Sequence, residues 1–273
     1  MILYPNAKIN LGLHIVEKNA DGFHNIETLF FPLQWSDVLE FVPIENTDEK
    51  TSLKCTGLSV AGNSDNNLVM KALQIVKSEY KLPELKIHLH KIIPMGAGLG
   101  GGSADASFML VGLNRFFDLK ITNDKLSNMA AKIGSDCAFF INNQPSLGTG
   151  RGNILEAFNI KLSGKYLLVA VPDVHVSTPQ AYAGVKPQKP TTPLKEILKM
   201  DISEWKKHLI NDFEISVFDK FPTIAKLKEI FYQKGAIYAS MSGSGSSVFG
   251  IFDKNPNLEF TELNGKGWKE QIK

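Results

Sequence analysis

Between residues 7 and 16 apolar and polar side chains alternate: Ile9, Leu11, Leu13 and Ile15 point one way, and Lys8, Asn10, Gly12 and His14 the other. A period of two predicts a strand with one buried face. The next stretch, DGFHNIETLFFPLQWSDVLEFV, opens on an Asp-Gly turn and ends in two short apolar runs, which predicts another strand pair. From Asn66, read as a helix cap, Val69, Ala72, Leu73, Val76 and Tyr80 recur at helical spacing until Pro83 stops the pattern. LKIHLHKII then alternates and runs straight into a glycine-rich segment, PMGAGLGGGSADAS. Beyond it Ala106, Met109, Leu110, Leu113 and Phe117 form one helical stripe. Leu126, Met129, Ala130 and Ile133 form a second, ending at Gly134.

Near GTGRG (148–152) and Gly164 the texture changes. A strand YLLVAV, a proline-rich loop over 172–193, amphipathic segments near 203–218 and 223–234, and strands IYASM and VFGIF flanking SGSGSS follow. The order of elements, with antiparallel hairpins rather than repeated βαβ units, predicts an α+β chain of two domains, 1–155 and 156–273.

Composition narrows the functions available. The 30 basic and 28 acidic residues are spread evenly, giving a net charge of +2 and no electrostatic footprint for nucleic acid or anionic lipid. No apolar run reaches membrane-spanning length, and the N-terminal segment lacks the layout of a signal peptide, so the cytoplasm is the expected location. Cys55 and Cys137 have no disulfide-framework or zinc spacing. Cys137, inside DCAFFI, reads as a small buried hydrophobe. Oligomeric state is left between monomer and weak homodimer.

The glycine run carries the chemistry. Placed after a strand and before a helix, Gly96, Gly98, Gly100, Gly101 and Gly102 let successive backbone N–H groups face one anion, with the helix N-terminus behind them. Ser103 suits both a helix cap and a hydroxyl donor to phosphate. The Gly96-x-Gly98-x-x-Gly101 spacing also satisfies a dinucleotide fingerprint. The second helix, LSNMAAKIG, stands where that fold needs a buried parallel strand, which excludes it. Gly102 occupies the lysine position of a Walker loop, and no HRD or DFG segment of a protein kinase occurs. A phosphate loop without its own lysine needs a cation and a carboxylate from elsewhere. Asp136, just after the Gly134 helix stop, is the best-placed carboxylate, and it equally suits an N-cap for the next segment. Lys8, on the polar face of the first strand, is the best-placed amine, although a solvated lysine is the ordinary occupant of such a face.

PMGAGLGGGSADAS resembles the Pro-x-x-x-Gly-Leu-Gly-Ser-Ser motif of the galactokinase, homoserine kinase, mevalonate kinase and phosphomevalonate kinase (GHMP) superfamily. With PNAKINLGLHIVEKNADGFHNIETLF at the start and MSGSGSSVFGIF near the end, three motifs follow the order of the branch that phosphorylates an alcohol carrying a cytidine diphosphate. The resemblance implies an N-terminal domain like ribosomal protein S5 domain 2 and a ferredoxin-like C-terminal domain. It further implies ATP and Mg²⁺ as cofactors and a small cytidine diphosphate molecule as substrate, with homoserine or mevalonate as alternative alcohols. Carried over by position, Pro94, Met95, Gly96, Ala97, Gly98, Leu99, Gly100, Gly101, Gly102, Ser103 and Ala104 hold the ATP phosphates. Asn67 and Lys91 lie near the adenine and the nucleotide. Asp136 is the general base, and Lys8 orients the hydroxyl and keeps Asp136 ionised. Asn10, Phe23, His24, Phe30 and Tyr182 grip the cytidine and erythritol parts.

Four positions depart from the pattern. Ala104 and Asp105 replace the serine or asparagine frequent in relatives, leaving Asp105 to reach the metal, directly or through water, or to stabilise the helix start. Phe23 replaces a frequent tyrosine, GTGRGN lacks the usual glutamate, and the His88-x-His90 spacing reads as an exposed strand face.

Overall fold

The computed structural model describes residues 1–45, 48–59, 66–260 and 265–273. In chain order the strands are β1 (Ile2–Leu3), β2 (Asn6–Lys18), β3 (His24–Ser36), β4 (Val38–Pro43), β5 (Ser52–Gly57), β6 (Leu85–Lys91), β7 (Ser146–Thr149), β8 (Ile154–Ala157), β9 (Tyr166–Pro172), β10 (Tyr238–Met241), β11 (Val248–Phe252) and β12 (Gly265–Gln271). The helices are α1 (Leu68–Lys77), α2 (Gly101–Phe116), α3 (Asn123–Ile133), α4 (Phe139–Asn142), α5 (Thr178–Tyr182), α6 (Leu194–Ile197), α7 (Ile202–His208), α8 (Phe213–Lys220) and α9 (Pro222–Gln233). Strands and helices are mixed, as in an α+β chain, and of the eight strand pairings with a register among the described residues seven are antiparallel, while β5 runs parallel to its partner, β6.

Internal contacts divide the chain into two compact units, Met1–Lys8 with Pro32–Met95 and Gly100–Gln144, and Ile9–Phe31 with Gly96–Leu99 and Pro145–Lys273. This division follows the long strands β2 and β3, each of which has residues in both units, and it is a different partition from a sequential cut near residue 155.

In the first unit the strands run β1-β4-β6-β5. Leu39, Phe41, Ile87 and Leu89 from this sheet share one core with Val69, Ala72, Leu73 and Val76 of α1, Met109, Leu110 and Leu113 of α2, and Leu126, Met129 and Ala130 of α3. The helical stripes read from the sequence are therefore the buried faces, and truncating one of their leucines would cost about 2–5 kcal/mol. The cap of α1 is Asn67 rather than Asn66: its Oδ1 accepts the Val69 N–H at 2.9 Å.

In the second unit a sheet ordered β10-β11-β9-β12 packs Leu168, Ala170, Ala239, Met241 and Val248 against Phe213 and Val217 of α8 and Ile224, Leu227 and Phe231 of α9. The single amphipathic segment expected over 203–218 is two helices, α7 and α8. Between them Leu13 of β2 donates to Ile210 O and accepts from Asp212 N, both at 2.9 Å, engaging backbone groups that a continuous helix would need. The loop over 172–193 contains α5, begun by a capping box between Ser177 and Gln180. Strand β12 was not read from the sequence because GKGWKEQ has little apolar alternation, yet it pairs with β9 over seven residues.

A third sheet is ordered β2-β3-β7-β8. Strand β2 departs from the expectation of one buried face, since every residue from Asn6 to Ile15 is buried. Its polar side chains are thus enclosed, and each needs a partner.

Candidate functional site

Lys8 is only 3% exposed, and its Nζ stands 3.3 Å from Asp136 Oδ2, a carboxylate 34% exposed. Asp136 lies in the turn between α3 and α4. That turn is held by the Cys137 N–H on Gly134 O at 3.1 Å and by the Ser107 hydroxyl of α2 on Cys137 O at 2.7 Å. The residue capping α4 is Ala138, without a side-chain bond, so Asp136 is directed at the amine rather than used as a cap. Burial pushes the Cys137 thiol up to about 11, consistent with an inert packing role. Lys8 also passes beneath the start of α2: a Cβ on Gly100 would lie 3.1 Å from Lys8 Cε and 3.0 Å from Phe140 Cζ. Gly100, at φ +71°, is the residue before the helix, and no side chain caps α2. Its first N–H groups are thereby left for an anion, with the helix dipole adding positive potential. Ser103 is inside the first turn, not at the cap.

Lys91 is turned inward. Its ammonium pairs with Asp37 and, at 2.7 Å, with Asp105, and all three side chains are buried. Asp37 also accepts the N–H groups of Ile92 at 2.5 Å and Ile93 at 2.8 Å, where the chain leaves β6 for the glycine run. One buried cluster thus ties the strand entering the run to the helix leaving it. Burial is the main cause that raises the Asp105 carboxyl to about 7. Lys91 opposes this and Asp37 reinforces it. Burial works against the Lys91 ammonium, but Asp105 and Asp37 together hold its pKa above the usual lysine value. Lys91, expected near the nucleotide, and Asp105, expected either to reach the metal or to stabilise the helix start, pair with each other inside the fold. Asn67 is half-buried, with its Oδ1 committed to the α1 cap.

Of the glycine run, Pro94 and Met95 belong to the first unit, Gly96–Leu99 to the second, and Gly100 onward to the first again. Gly96, Gly98 and Gly100 adopt φ values of +67°, +78° and +71°, while Ala97 and Leu99 between them are buried. Alternation of this kind turns successive N–H groups toward one side. Gly98 presses against the SGSGSS segment, where a Cβ would lie 2.0 Å from Ser242 O. The Ser242 hydroxyl donates to Gly98 O at 2.9 Å and accepts the Asn10 N–H at 3.2 Å, and the Ser247 N–H donates to Ala97 O at 3.1 Å.

The remaining residues expected at the substrate all belong to the second unit. His24 stacks on Tyr182 with ring centroids 4.6 Å apart, and Tyr182 meets the edge of Phe213. Desolvation, with help from Lys18, holds the His24 imidazole below its ordinary pKa, so it is neutral at neutral pH. Phe23 is exposed, with the Arg151 guanidinium 3.8 Å over its ring, and Arg151 pairs with Asp21. Asn10 and Phe30 are enclosed. Asn10 Nδ2 donates to Thr28 Oγ1 at 3.0 Å, and Phe30 packs under Gly148 and Gly152 of the β7–β8 hairpin. His88 and His90 share the Thr56 hydroxyl at 2.8 and 2.9 Å, and the described residues contain no group of three or more His, Cys, Asp or Glu able to hold a metal.

Comparison with known proteins places these features. The GHMP kinases N terminal domain family matches residues 67–144, and the GHMP kinases C terminal family matches residues 194–262. A 4-diphosphocytidyl-2-C-methyl-D-erythritol kinase from Parabacteroides distasonis is 52% identical over 263 residues, covering 96% of each chain. The chain belongs to the GHMP kinases. Another kinase of the same name, from Bacteroides fragilis, is 49% identical and covers 97% of this chain and 96% of its own. A crystal structure of 4-(cytidine 5'-diphospho)-2C-methyl-D-erythritol kinase superposes with a TM-score of 0.79 at 27% identity, over 98% of both chains. A homoserine kinase from Cytophaga hutchinsonii, at 16% identity and a TM-score of 0.66 over 98% of this chain and 94% of its own, shares the fold.

In this GHMP kinase several supporting residues escaped the reading of the sequence. Asp37, Ser107, Thr28 and Ser242 touch the expected site residues or their backbone, but each is a single polar residue in an apolar or glycine-rich context. Only Ser242 had a visible signal, the SGSGSS run, and that run names no partner. Among the described residues no helix is long and apolar enough to cross a membrane.

Proposed function

We propose that the chain transfers the γ-phosphoryl group of ATP to the C2 hydroxyl of 4-diphosphocytidyl-2-C-methyl-D-erythritol, a step toward isoprenoid precursors by the non-mevalonate route. The observation that carries the chemistry is the Lys8–Asp136 pair, 3.3 Å apart, beside the glycine that opens α2. Substrate choice is supported by near-complete coverage at 52% and 49% identity to kinases so named, whereas a homoserine kinase and a mevalonate kinase stand at 16% and 13%.

In this reading Asp136 accepts the proton of the attacking hydroxyl, while Lys8 orients that hydroxyl and balances the carboxylate charge. The oxygen attacks the γ-phosphorus and ADP departs. The run from Pro94 to Ala104 holds the phosphates through backbone N–H groups, and Ser103 adds a hydroxyl from the first helical turn. Asn67, half-buried at the start of α1, lies toward the adenine. Phe23, His24 and Tyr182 supply aromatic faces for a cytosine. Asn10 and Phe30 support that surface from beneath, and Lys91 braces the phosphate loop from within. Mg²⁺ would be carried by the ATP phosphates held at the Pro94–Ala104 run and would offset their charge, with few ligands drawn from the protein. Residues 1–155 and 156–273 are taken as the two family modules, in a chain working away from membranes and nucleic acid.

A coupled ADP-release assay tests the substrate, with the cytidylated alcohol run against mevalonate and homoserine. Turnover with mevalonate or homoserine alone would overturn the substrate assignment. Asp136→Asn is expected to lose about 10²- to 10⁴-fold in turnover while ATP still binds, and retained turnover would remove Asp136 from the base role.

A further inference from the structure

A concave site lies within the second unit. It is a pocket of about 670 Å³, within the range of small-molecule sites, and its lining includes His14, Lys186, Lys189, Ile210, Asp212 and Ile215. Backbone bonds fix its floor and walls: β2 offers Ile15 O to the Gln188 N–H at 2.9 Å and pairs through Leu13 with Ile210 and Asp212. His14 is only 4% exposed, and its Nε2 has no hydrogen-bond partner, an uncommon state for a buried ring nitrogen. The other ring nitrogen, Nδ1, stands 3.5 Å from Asp212 Oδ1, and Asp212 Oδ2 accepts the Ile15 N–H at 2.7 Å. The one carboxylate lining the pocket is therefore engaged by β2. Lys186 and Lys189 are exposed and make no ion pair or hydrogen bond among the described residues. Lys207, also in the lining, pairs with Glu204 at 3.3 Å, and Ile210 and Ile215 add exposed apolar surface.

Two uncommitted ammonium groups and an apolar wall match a small anion with an aliphatic body. We propose that this pocket binds an organic phosphate monoester, its phosphate between Lys186 and Lys189 and its carbon chain against Ile210 and Ile215. The site is independent of the phosphoryl-transfer reading, because none of these residues has been given a part in it.

The test is calorimetric titration of n-butyl phosphate into the full chain saturated with a non-hydrolysable ATP analogue and cytidine diphosphate, so that nucleotide sites are filled. One-to-one binding is expected, weaker for inorganic phosphate. Reversal of both lysines, Lys186→Glu with Lys189→Glu, is expected to reduce affinity by roughly tenfold or more. The lysine variant changes only exposed positions, so loss of folding does not obscure the result. No binding to the wild type, equal binding of inorganic phosphate, or binding that survives the lysine reversal would each overturn the proposal.

Discussion

Replacing Asp105 by asparagine should change how stability depends on pH more than it changes stability at any single pH. The carboxyl is buried, and its pKa is pushed up from 3.8 to about 7. In the unfolded chain the same group titrates near its ordinary value. Between those two values the folded protein holds a proton that the unfolded chain has released, so stability falls as pH rises through this window and levels off above it. One pKa unit corresponds to 1.36 kcal/mol, and a displacement of about three units amounts to about 4 kcal/mol between acid and neutral pH. Asparagine keeps the shape and removes the titration. Urea unfolding of wild type and variant, in parallel from about pH 4 to about pH 8, isolates the effect of this buried cluster, because carboxylates outside it titrate in both proteins and cancel in the difference. The wild type should lose ground to Asp105→Asn by up to about 4 kcal/mol as pH rises to about 7, with no further divergence beyond. A constant difference across the window would refute the reasoning and leave Asp105 fully ionised beside Lys91.

Gly98→Ala places a Cβ 2.0 Å from Ser242 O at a φ of +78°. The backbone conformation alone costs about 1–3 kcal/mol, so a lower melting temperature and a raised KM for ATP are expected, and an unchanged KM would argue against the loop as phosphate holder. Lys8→Met leaves Asp136 without its cation and should reduce kcat by about 10²-fold or more with little change in ATP affinity by calorimetry. Ser242→Ala removes one donor and one acceptor from buried backbone partners and should destabilise by about 1–3 kcal/mol in chemical denaturation, an effect that a surface serine would not produce.

Periodicity located the buried stripes of α1, α2 and α3 and the strands β2, β6, β9, β10 and β11, because a helix or strand with one apolar face writes that face into its spacing. It missed β12, whose pairing with β9 is made by backbone groups and leaves few apolar positions to see. It ran α7 and α8 together, since the break between them is imposed by a strand distant in sequence. The glycine run announced a phosphate loop, but not that Gly98 answers to Ser242 or that Lys91 and Asp37 lock its two flanks. Those contacts join residues far apart along the chain, and spacing carries no record of them.

The polar side of β2 shows where such reading stops. Alternation assigns Lys8, Asn10 and His14 to one face and predicts solvent there, yet all three are buried. What each does depends on what the fold brings opposite it. Lys8 meets Asp136, with an amine and a carboxylate close enough to share a proton-transfer task. Asn10 meets Thr28 and Ser242 and is held as framework. His14 meets Asp212 on one nitrogen and nothing on the other. A period of two fixes the direction of a side chain and says nothing of its partner. For a buried polar group the partner decides between catalysis and scaffold.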